Sequence, residues 1–120
     1  MAAEYAKRLG RYCDFEMREV RSEKALQQQV RAFKVVLDPA GRQMTSAEMA
    51  ALVDRNEQRA VHEMALLIGG ADGLGDRVRQ NADLLLSLSR LTMPHELARV
   101  VLVEQIYRAF TTVRGHPYAR

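Results

Sequence analysis

Apolar positions along the chain recur with a helical period in some segments and with a strand period in others. Helices are expected over Ala2–Arg11, over Ser22–Gln29, from a cap at Thr45 to about Glu57, over Asp76–Ala82, and from Pro94 to about Val113. Strands are expected over Asp14–Val20, Phe33–Leu37, Met64–Ile68 and Leu84–Leu88. Strands alternating with helices, three of them mainly apolar, indicate the α/β class with a mostly parallel sheet flanked by helices.

Two local signals sharpen this picture. Thr45 is followed three residues later by Glu48, which is the spacing of a capping box at a helix start. Loops at the carboxyl ends of parallel strands are the usual ligand sites of open sheets. Three such loops are conspicuous here, and they span Leu37–Gly41, Ile68–Gly75 and Leu88–His95.

The glycine-rich loop after the Met64–Ile68 strand lacks two familiar phosphate-binding patterns. It has neither the GxGxxG order with an acidic residue downstream nor a Gly-Lys-Ser/Thr sequence, so it favours neither a dinucleotide site nor a P-loop. Its glycines allow either a sharp turn or the close approach of a ligand to the backbone. The residues alone leave both interpretations open.

The last helix is apolar on two sides. Leu97, Val100 and Val101 form one stripe, and a second stripe on roughly the opposite face is made by Leu102, Val103, Ile106, Phe110 and Val113. A helix with two apolar sides is buried on both. One side can pack on its own sheet, and we expect the other to contact a second copy of the chain, with Ile106 and Phe110 in the interface.

Composition sets the outer bounds. With 120 residues, 48% of them hydrophobic and 28% charged, we expect a single globular domain over residues 1–120. There are 18 basic and 15 acidic residues, for a net charge of +3, and most of the basic residues are arginine. That balance is compatible with RNA binding and equally with ordinary surface charge.

Cysteine and hydropathy exclude several classes of protein. Cys13 is the only cysteine, so no internal disulfide forms, and no spacing of ligands predicts a metal site. No apolar run is long enough to span a membrane, and the amino terminus has no signal-peptide core. We therefore expect a cytoplasmic protein with no metal and no membrane partner.

Polar residues near the carboxyl terminus are candidates for chemistry. Glu104 interrupts an apolar stripe of the last helix, with Arg108 one turn later. The pattern favours an intrahelical ion pair, and a polar group at a site between subunits is the alternative. His116 and Tyr118 follow the helix and, taken alone, are typical of surface or capping residues.

Four segments together resemble the RlmH family of ribosomal RNA methyltransferases, in the SPOUT class. Leu66–Leu74 is similar to the family's LLIGGxxG segment and Leu86–His95 to its SLSxLTLPH segment. Arg99–Ala109 is similar to RVxLxEQLYRA, and His116–Tyr118 to the HPYHR tail, although Ala119 replaces the second His of that tail. Order and spacing agree from about Phe33 to the end of the chain.

The resemblance implies a fold, a cofactor and a reaction. The fold is a SPOUT-type α/β knot, in which a carboxyl-terminal trefoil knot forms the pocket for S-adenosylmethionine. The residues that would line this pocket are Leu37, Gly70, Leu88, Ser89, Arg90, Leu91, Thr92 and Met93. The implied reaction is methylation at N3 of a pseudouridine in 23S rRNA within the ribosome, by a homodimer. The implied catalytic candidates are Glu104, Arg108, His116 and Tyr118.

The amino-terminal part departs from the family pattern. Family members begin with an apolar strand that is not seen before the first helix of this chain, and the segment Val20–Arg31 looks short, so we expect a sheet of about four strands. An alternative function is therefore a non-catalytic RNA-binding or dimerisation module that keeps the knotted fold.

Overall fold

A computed structural model describes residues 2–17, 32–61, 63–69 and 74–118. Within these ranges the chain forms four helices and three strands. In chain order they are α1 (Ala2–Leu9), β1 (Phe33–Gln43), α2 (Ser46–Gln58), β2 (Met64–Leu67), α3 (Asp76–Gln80), β3 (Leu84–Ser87) and α4 (His95–Val113). The expected alternation of strands and helices is thus confirmed, and the helix expected over Ser22–Gln29 lies outside the described residues.

The sheet is parallel, as predicted, and β1 is its central strand. The order is β2-β1-β3, with Val36 paired to Leu67 on one side and Leu37 paired to Leu86 on the other. Val35 and Val36 are both fully buried, because helices cover both faces of the central strand. The described residues thus contain three strands where about four were expected.

The strand expected over Asp14–Val20 is not found in its described part. Residues 14–17 have no regular structure, and 18–20 lie outside the described residues. Phe15 packs against the core, while Met17 is exposed. Alternation of apolar and polar residues gives such a segment one buried side, but a strand also needs a neighbouring strand to bond with its backbone.

The loop expected at Asp38–Gly41 is instead an irregularity inside β1. The strand continues to Gln43, and both Leu37 and Arg42 pair with Leu86, so the residues between them bulge out of the ladder. Pro39 has no N–H to give to the ladder, and Asp38 Oδ1 accepts a hydrogen bond of 2.8 Å from the Ala40 N–H. Asp38 and Pro39 do interrupt the strand, as the sequence indicates, but the pairing with β3 resumes at Arg42.

Helix α2 begins at the predicted capping box. The Thr45 hydroxyl accepts a hydrogen bond of 3.0 Å from the Glu48 N–H, and the Glu48 carboxylate accepts one of 2.9 Å from the Thr45 N–H. These bonds satisfy two backbone donors that a helix start otherwise leaves unpaired. The cap thereby fixes where the chain turns from β1 into α2.

Most of the core lies on the face of the sheet that α1, α2 and α4 cover. Its fully buried members include Leu9, Val35, Val53, Leu86 and Leu102. A smaller cluster beneath α3 covers the other face and consists of Val36, Leu67 and Val78. The two clusters follow from the alternation of side chains along β1.

The assignment of Ile106 to a subunit interface was wrong. Ile106 is only 5% exposed and lies with Leu102 and Val103 in the chain's own core. Among the described residues, the other predicted stripe of α4 is less buried, since Leu97 is 50% exposed and Val100 and Val101 are half-buried.

We expect Gly41→Ala to weaken the pairing of β1 with β3. A methyl group at Gly41 would lie 2.7 Å from the Leu85 carbonyl and 2.8 Å from the Leu86 nitrogen, and these are backbone atoms that cannot rotate away. The expected loss is about 1–3 kcal/mol in the free energy of unfolding, measured by urea denaturation. Gly10→Ala is the matched control, because its nearest neighbour is the Lys7 carbonyl oxygen at 3.3 Å. Equal losses in the two variants would contradict this account.

Candidate active site

The carboxyl ends of the three parallel strands meet at one edge of the sheet. The pairing of Leu37 with Leu86 brings Leu37 beside the end of β3, and Leu88 follows that strand immediately. Both leucines are half-buried against the main core. The structure therefore brings together two predicted cofactor-binding residues, and Gly70, a third, lies outside the described residues.

The segment between β3 and α4 is organised around Ser89. Ser87 Oγ donates a hydrogen bond of 3.0 Å to the Ser89 carbonyl, and the Leu91 N–H donates one of 3.0 Å to Ser89 Oγ. This tight turn leaves the Leu91 side chain 79% exposed. An apolar side chain held in solvent by an ordered turn is suited to contact a ligand.

The rest of this segment offers polar groups. Arg90 and Thr92 are exposed and Met93 is half-buried. No hydrogen bond joins the backbone N–H of Thr92 or of Met93 to another described residue. The segment from Leu88 to Met93 therefore combines apolar side chains with backbone donors that are open to a ligand.

An ion pair ties the same edge of the sheet to α3. Asp38 Oδ2 contacts the Nε atom of Arg79, as an ion pair without the alignment of a good hydrogen bond. The Asp38 side chain is 10% exposed, so the carboxylate is largely withdrawn from water. The pair fixes α3, which follows the glycine-rich loop, against the bulge of β1. The sequence signal for this ion pair is the position of Asp38 directly after the apolar residues of β1.

Glu104 is the centre of a second group of polar side chains. Its Oε1 atom accepts hydrogen bonds from Arg108 Nε at 2.9 Å and from Arg108 Nη2 at 2.6 Å, which confirms the predicted intrahelical pair. Gln105 Nε2 donates to the other oxygen, Oε2, at 3.0 Å. The hydrogen bond that Arg108 donates to Glu104 raises the pKa of Arg108 further above its usual value. Both oxygens of Glu104 thus already accept hydrogen bonds, which suits an anchor better than a proton acceptor.

Tyr118 closes this group from the tail of the chain. Its hydroxyl lies 3.3 Å from Glu104 Oε1 and 3.3 Å from the Tyr5 hydroxyl, and the Arg108 guanidinium lies 5.5 Å from the centre of its ring. Burial raises the pKa of Tyr118 well above its usual value, and the hydrogen bond with Tyr5 and the charge of Glu104 act in the same direction. At neutral pH the phenol is therefore a hydrogen-bond donor and not a base.

His116 bonds to a different part of the chain. Its Nδ1 atom lies 2.6 Å from the Tyr12 hydroxyl, and the two ring centres are 5.6 Å apart. The structure therefore joins Glu104, Arg108 and Tyr118, while His116 is held by the turn that follows α1. Sequence reasoning missed Tyr5 and Tyr12, which lie more than 100 positions from the tail residues they contact.

The two groups of candidate residues lie at different heights along α4. The loop with Leu91 ends where the helix begins at His95, and Glu104 and Arg108 follow nine and thirteen residues later. At about 1.5 Å per residue, they lie about 14 and 20 Å further along the axis. Within one chain the loop and the Glu104 group are therefore two separate surfaces.

Comparison with known proteins settles the family. The family model described as "Predicted SPOUT methyltransferase" matches residues 1–119. The chain belongs to this family. It is similar to the "Ribosomal RNA large subunit methyltransferase H" of Solibacter usitatus, at 48% identity over 100% of this chain and 87% of that protein. Proteins of the same name are similar to it in Geobacter sulfurreducens, at 43% identity over 96% of this chain and 85% of that protein, and in Anaeromyxobacter sp., at 45% identity over 96% and 85%.

The SPOUT family membership makes this chain a methyltransferase. In the described ranges, no three side chains of His, Cys, Asp or Glu are close enough to share a metal ion. None of the helices in those ranges has the length and apolar character needed to cross a membrane.

We expect Asp38→Ala to destabilise the fold of this SPOUT methyltransferase at the edge that carries the loops. The change leaves Arg79 without its withdrawn partner and removes the acceptor of the Ala40 N–H. A loss of about 1–3 kcal/mol in the free energy of unfolding is expected, measured by urea denaturation. Asp76→Ala is the control, because Asp76 approaches the same Arg79 at 3.5 Å but is 87% exposed. A loss as large in the control would argue against the importance of the withdrawn pair.

Proposed function

We propose that this chain is an S-adenosylmethionine-dependent methyltransferase that methylates N3 of a pseudouridine in 23S rRNA. Its site would form in a cytoplasmic homodimer whose subunits carry the trefoil knot of the SPOUT class. The observation that carries the proposal is the Glu104–Arg108–Tyr118 group. It lies on a family-typical tail, in a chain whose relatives are named ribosomal RNA large subunit methyltransferase H.

The loop at the carboxyl edge of the sheet fits the proposed cofactor. S-adenosylmethionine supplies an electrophilic methyl group on a sulfonium, together with an adenine ring and a polar amino-acid part. Leu37, Leu88 and the exposed Leu91 offer apolar contact for a ring. The N–H groups of Thr92 and Met93 are open to acceptor atoms. The side chains of Arg90 and Thr92 would border the site.

The Glu104 group fits a base that becomes an anion. N3 of a pseudouridine must lose its proton before or during methyl transfer, and Arg108 stays cationic throughout. Arg108 would stabilise the negative charge, and Tyr118, whose single proton goes to Glu104, would stack on the base or accept a hydrogen bond from it. Glu104 holds both of these groups in place.

The separation of the two surfaces along α4 is the argument for a dimer. A methyl group passes between atoms that are in contact, and a distance of about 14 to 20 Å along one helix does not allow this. A second copy would bring its own tail to the first copy's loop. The stripe of α4 that begins with the half-exposed Leu97 lies next to that loop and offers the copies an apolar contact.

We expect Leu91→Asp to weaken cofactor binding without unfolding the chain. Leu91 is 79% exposed, so it contributes little to the core, but a carboxylate there would lose its hydration when a ring packs against it. The affinity for S-adenosylmethionine, measured by calorimetry, should fall on the order of tenfold or more. Leu91→Met keeps the apolar contact and should bind nearly as well as the original chain. Unchanged affinity in Leu91→Asp would place the cofactor elsewhere.

Mixed dimers test the whole proposal. With S-adenosylmethionine kept well below the dissociation constant of Leu91→Asp, this variant and Arg108→Ala should each be almost inactive towards large ribosomal subunits that lack the methyl group, and Arg108→Ala should still bind the cofactor. When the two variants are unfolded together and refolded, a dimer of one of each has one intact composite site. The mixture should recover roughly a quarter of the original activity by random pairing.

The other outcomes of this experiment are also informative. If the loop and the tail acted within one chain, every chain in the mixture would be defective and no activity would return. If the original chain bound the cofactor but transferred no methyl group to these subunits, the non-catalytic RNA-binding or dimerisation module would replace the enzyme as the proposed function.

A further inference from the structure

We infer that Tyr5 and Tyr12 are positioning residues that hold the carboxyl-terminal tail in its working geometry. Tyr5 contacts Tyr118, and Tyr12 contacts His116. The inference rests on the proposed function, because it concerns the tail residues assigned there to the target base. It adds the amino-terminal helix, which carries none of the predicted site residues, to the machinery of the reaction.

The two tyrosines face the same way. They are seven positions apart, which is two helical turns, and although α1 ends at Leu9 the turn continues through a Tyr12 N–H to Leu9 carbonyl bond of 2.8 Å. Their ring centres lie 6.0 and 6.1 Å from that of Tyr107 on α4. The three rings form a continuous aromatic surface on which the tail lies.

The hydroxyl of Tyr118 cannot donate to both of its neighbours. It has one proton, and the Glu104 carboxylate is a stronger acceptor than the neutral Tyr5 hydroxyl. Tyr118 therefore donates to Glu104 and accepts from Tyr5. Of these two bonds, the one with Tyr5 comes from outside α4 and the tail. Removing the Tyr5 hydroxyl removes that bond.

The tail depends on such side-chain contacts more than a helix would. Helix α4 ends at Val113, Gly115 adopts a left-handed backbone with φ of 70°, and the His116 N–H bonds back to the Thr111 carbonyl at 2.8 Å. Beyond that bond, the tail is held by the hydrogen bonds of His116 with Tyr12 and of Tyr118 with Tyr5 and Glu104, and by the packing of the Tyr118 ring on Tyr107 at 4.7 Å.

The core does not depend on the two hydroxyls. Leu9 is the fully buried residue of α1, whereas Tyr5 and Tyr12 are half-buried. Phenylalanine at both positions keeps the rings, including the stacking of residue 12 on Phe110 at 5.9 Å. The double change Tyr5→Phe with Tyr12→Phe therefore removes both hydrogen bonds between the tail and the amino-terminal tyrosines while it preserves the packing of α1.

The test compares this double variant with Tyr107→Phe. Tyr107 belongs to the same aromatic surface, and its hydroxyl bonds to no other described residue, so it controls for the loss of a phenol in this region. The measurements are the single-turnover rate of methyl transfer to large ribosomal subunits lacking the mark, the calorimetric affinity for S-adenosylmethionine, and the imidazole nitrogen resonances of His116.

We expect the transfer rate of the double variant to fall on the order of tenfold, with cofactor affinity within about twofold of the original. Tyr107→Phe should stay within about twofold in both measurements. The His116 resonances should shift when Tyr12 becomes Phe and stay unchanged when Tyr107 does. A purely structural role would instead lower the melting temperature and affect rate and cofactor affinity together.

Two results would overturn the inference. One is a double variant that transfers methyl groups as fast as the original chain, and the other is a Tyr107→Phe variant that loses as much as the double variant. Failure of the proposed function looks different, because the original chain itself would then transfer no methyl group to these subunits.

Discussion

Val35 and Val36 are buried on opposite faces of the sheet, because β1 has a parallel partner on each side and helices above and below. Strands that are covered on both faces are mainly apolar, and because they are parallel their carboxyl ends meet at one edge. That edge carries Leu37, the bulge after it and the segment that follows β3. The position of the candidate cofactor site is therefore a consequence of how β1 is paired.

The group of polar side chains around Glu104 depends on a second interaction, the pairing of a carboxylate that is partly removed from water. Glu104 interrupts an apolar stripe, and its cost is offset by donors from Arg108, Gln105 and Tyr118. The same contacts raise the pKa of Arg108, and burial together with Tyr5 and Glu104 raises the pKa of Tyr118, so both groups hold their protons more firmly than usual. A carboxylate engaged in this way fixes where its neighbours lie and strengthens their hold on their protons, which is how a residue can be essential to a site without itself moving a proton.

Patterns over a few residues correctly predicted the features that depend on neighbouring residues alone. The Thr45–Glu48 cap, the three apolar strands and the Glu104–Arg108 pair each depend on residues a few positions apart, and all are present. The prediction for 14–17 failed because alternation does not reveal whether a partner strand is available. Which stripe of α4 packs inward, and which tyrosines hold the tail, depend on contacts across the whole chain, and no short-range pattern encodes them.

The unbroken length of helix α4 supports the proposed site that is shared between two copies of the chain, and this support does not depend on any single side-chain contact. It runs unbroken for 19 residues from His95 to Val113, and it contains neither proline nor glycine, the usual points at which a helix bends. Its two ends cannot approach each other. The loop with Leu91 is joined directly to the first turn of the helix. Arg108 lies in the fourth turn, and its side chain is held by the ion pair with Glu104. If the loop holds the methyl donor and Arg108 faces the acceptor, these two groups belong to different copies of the chain.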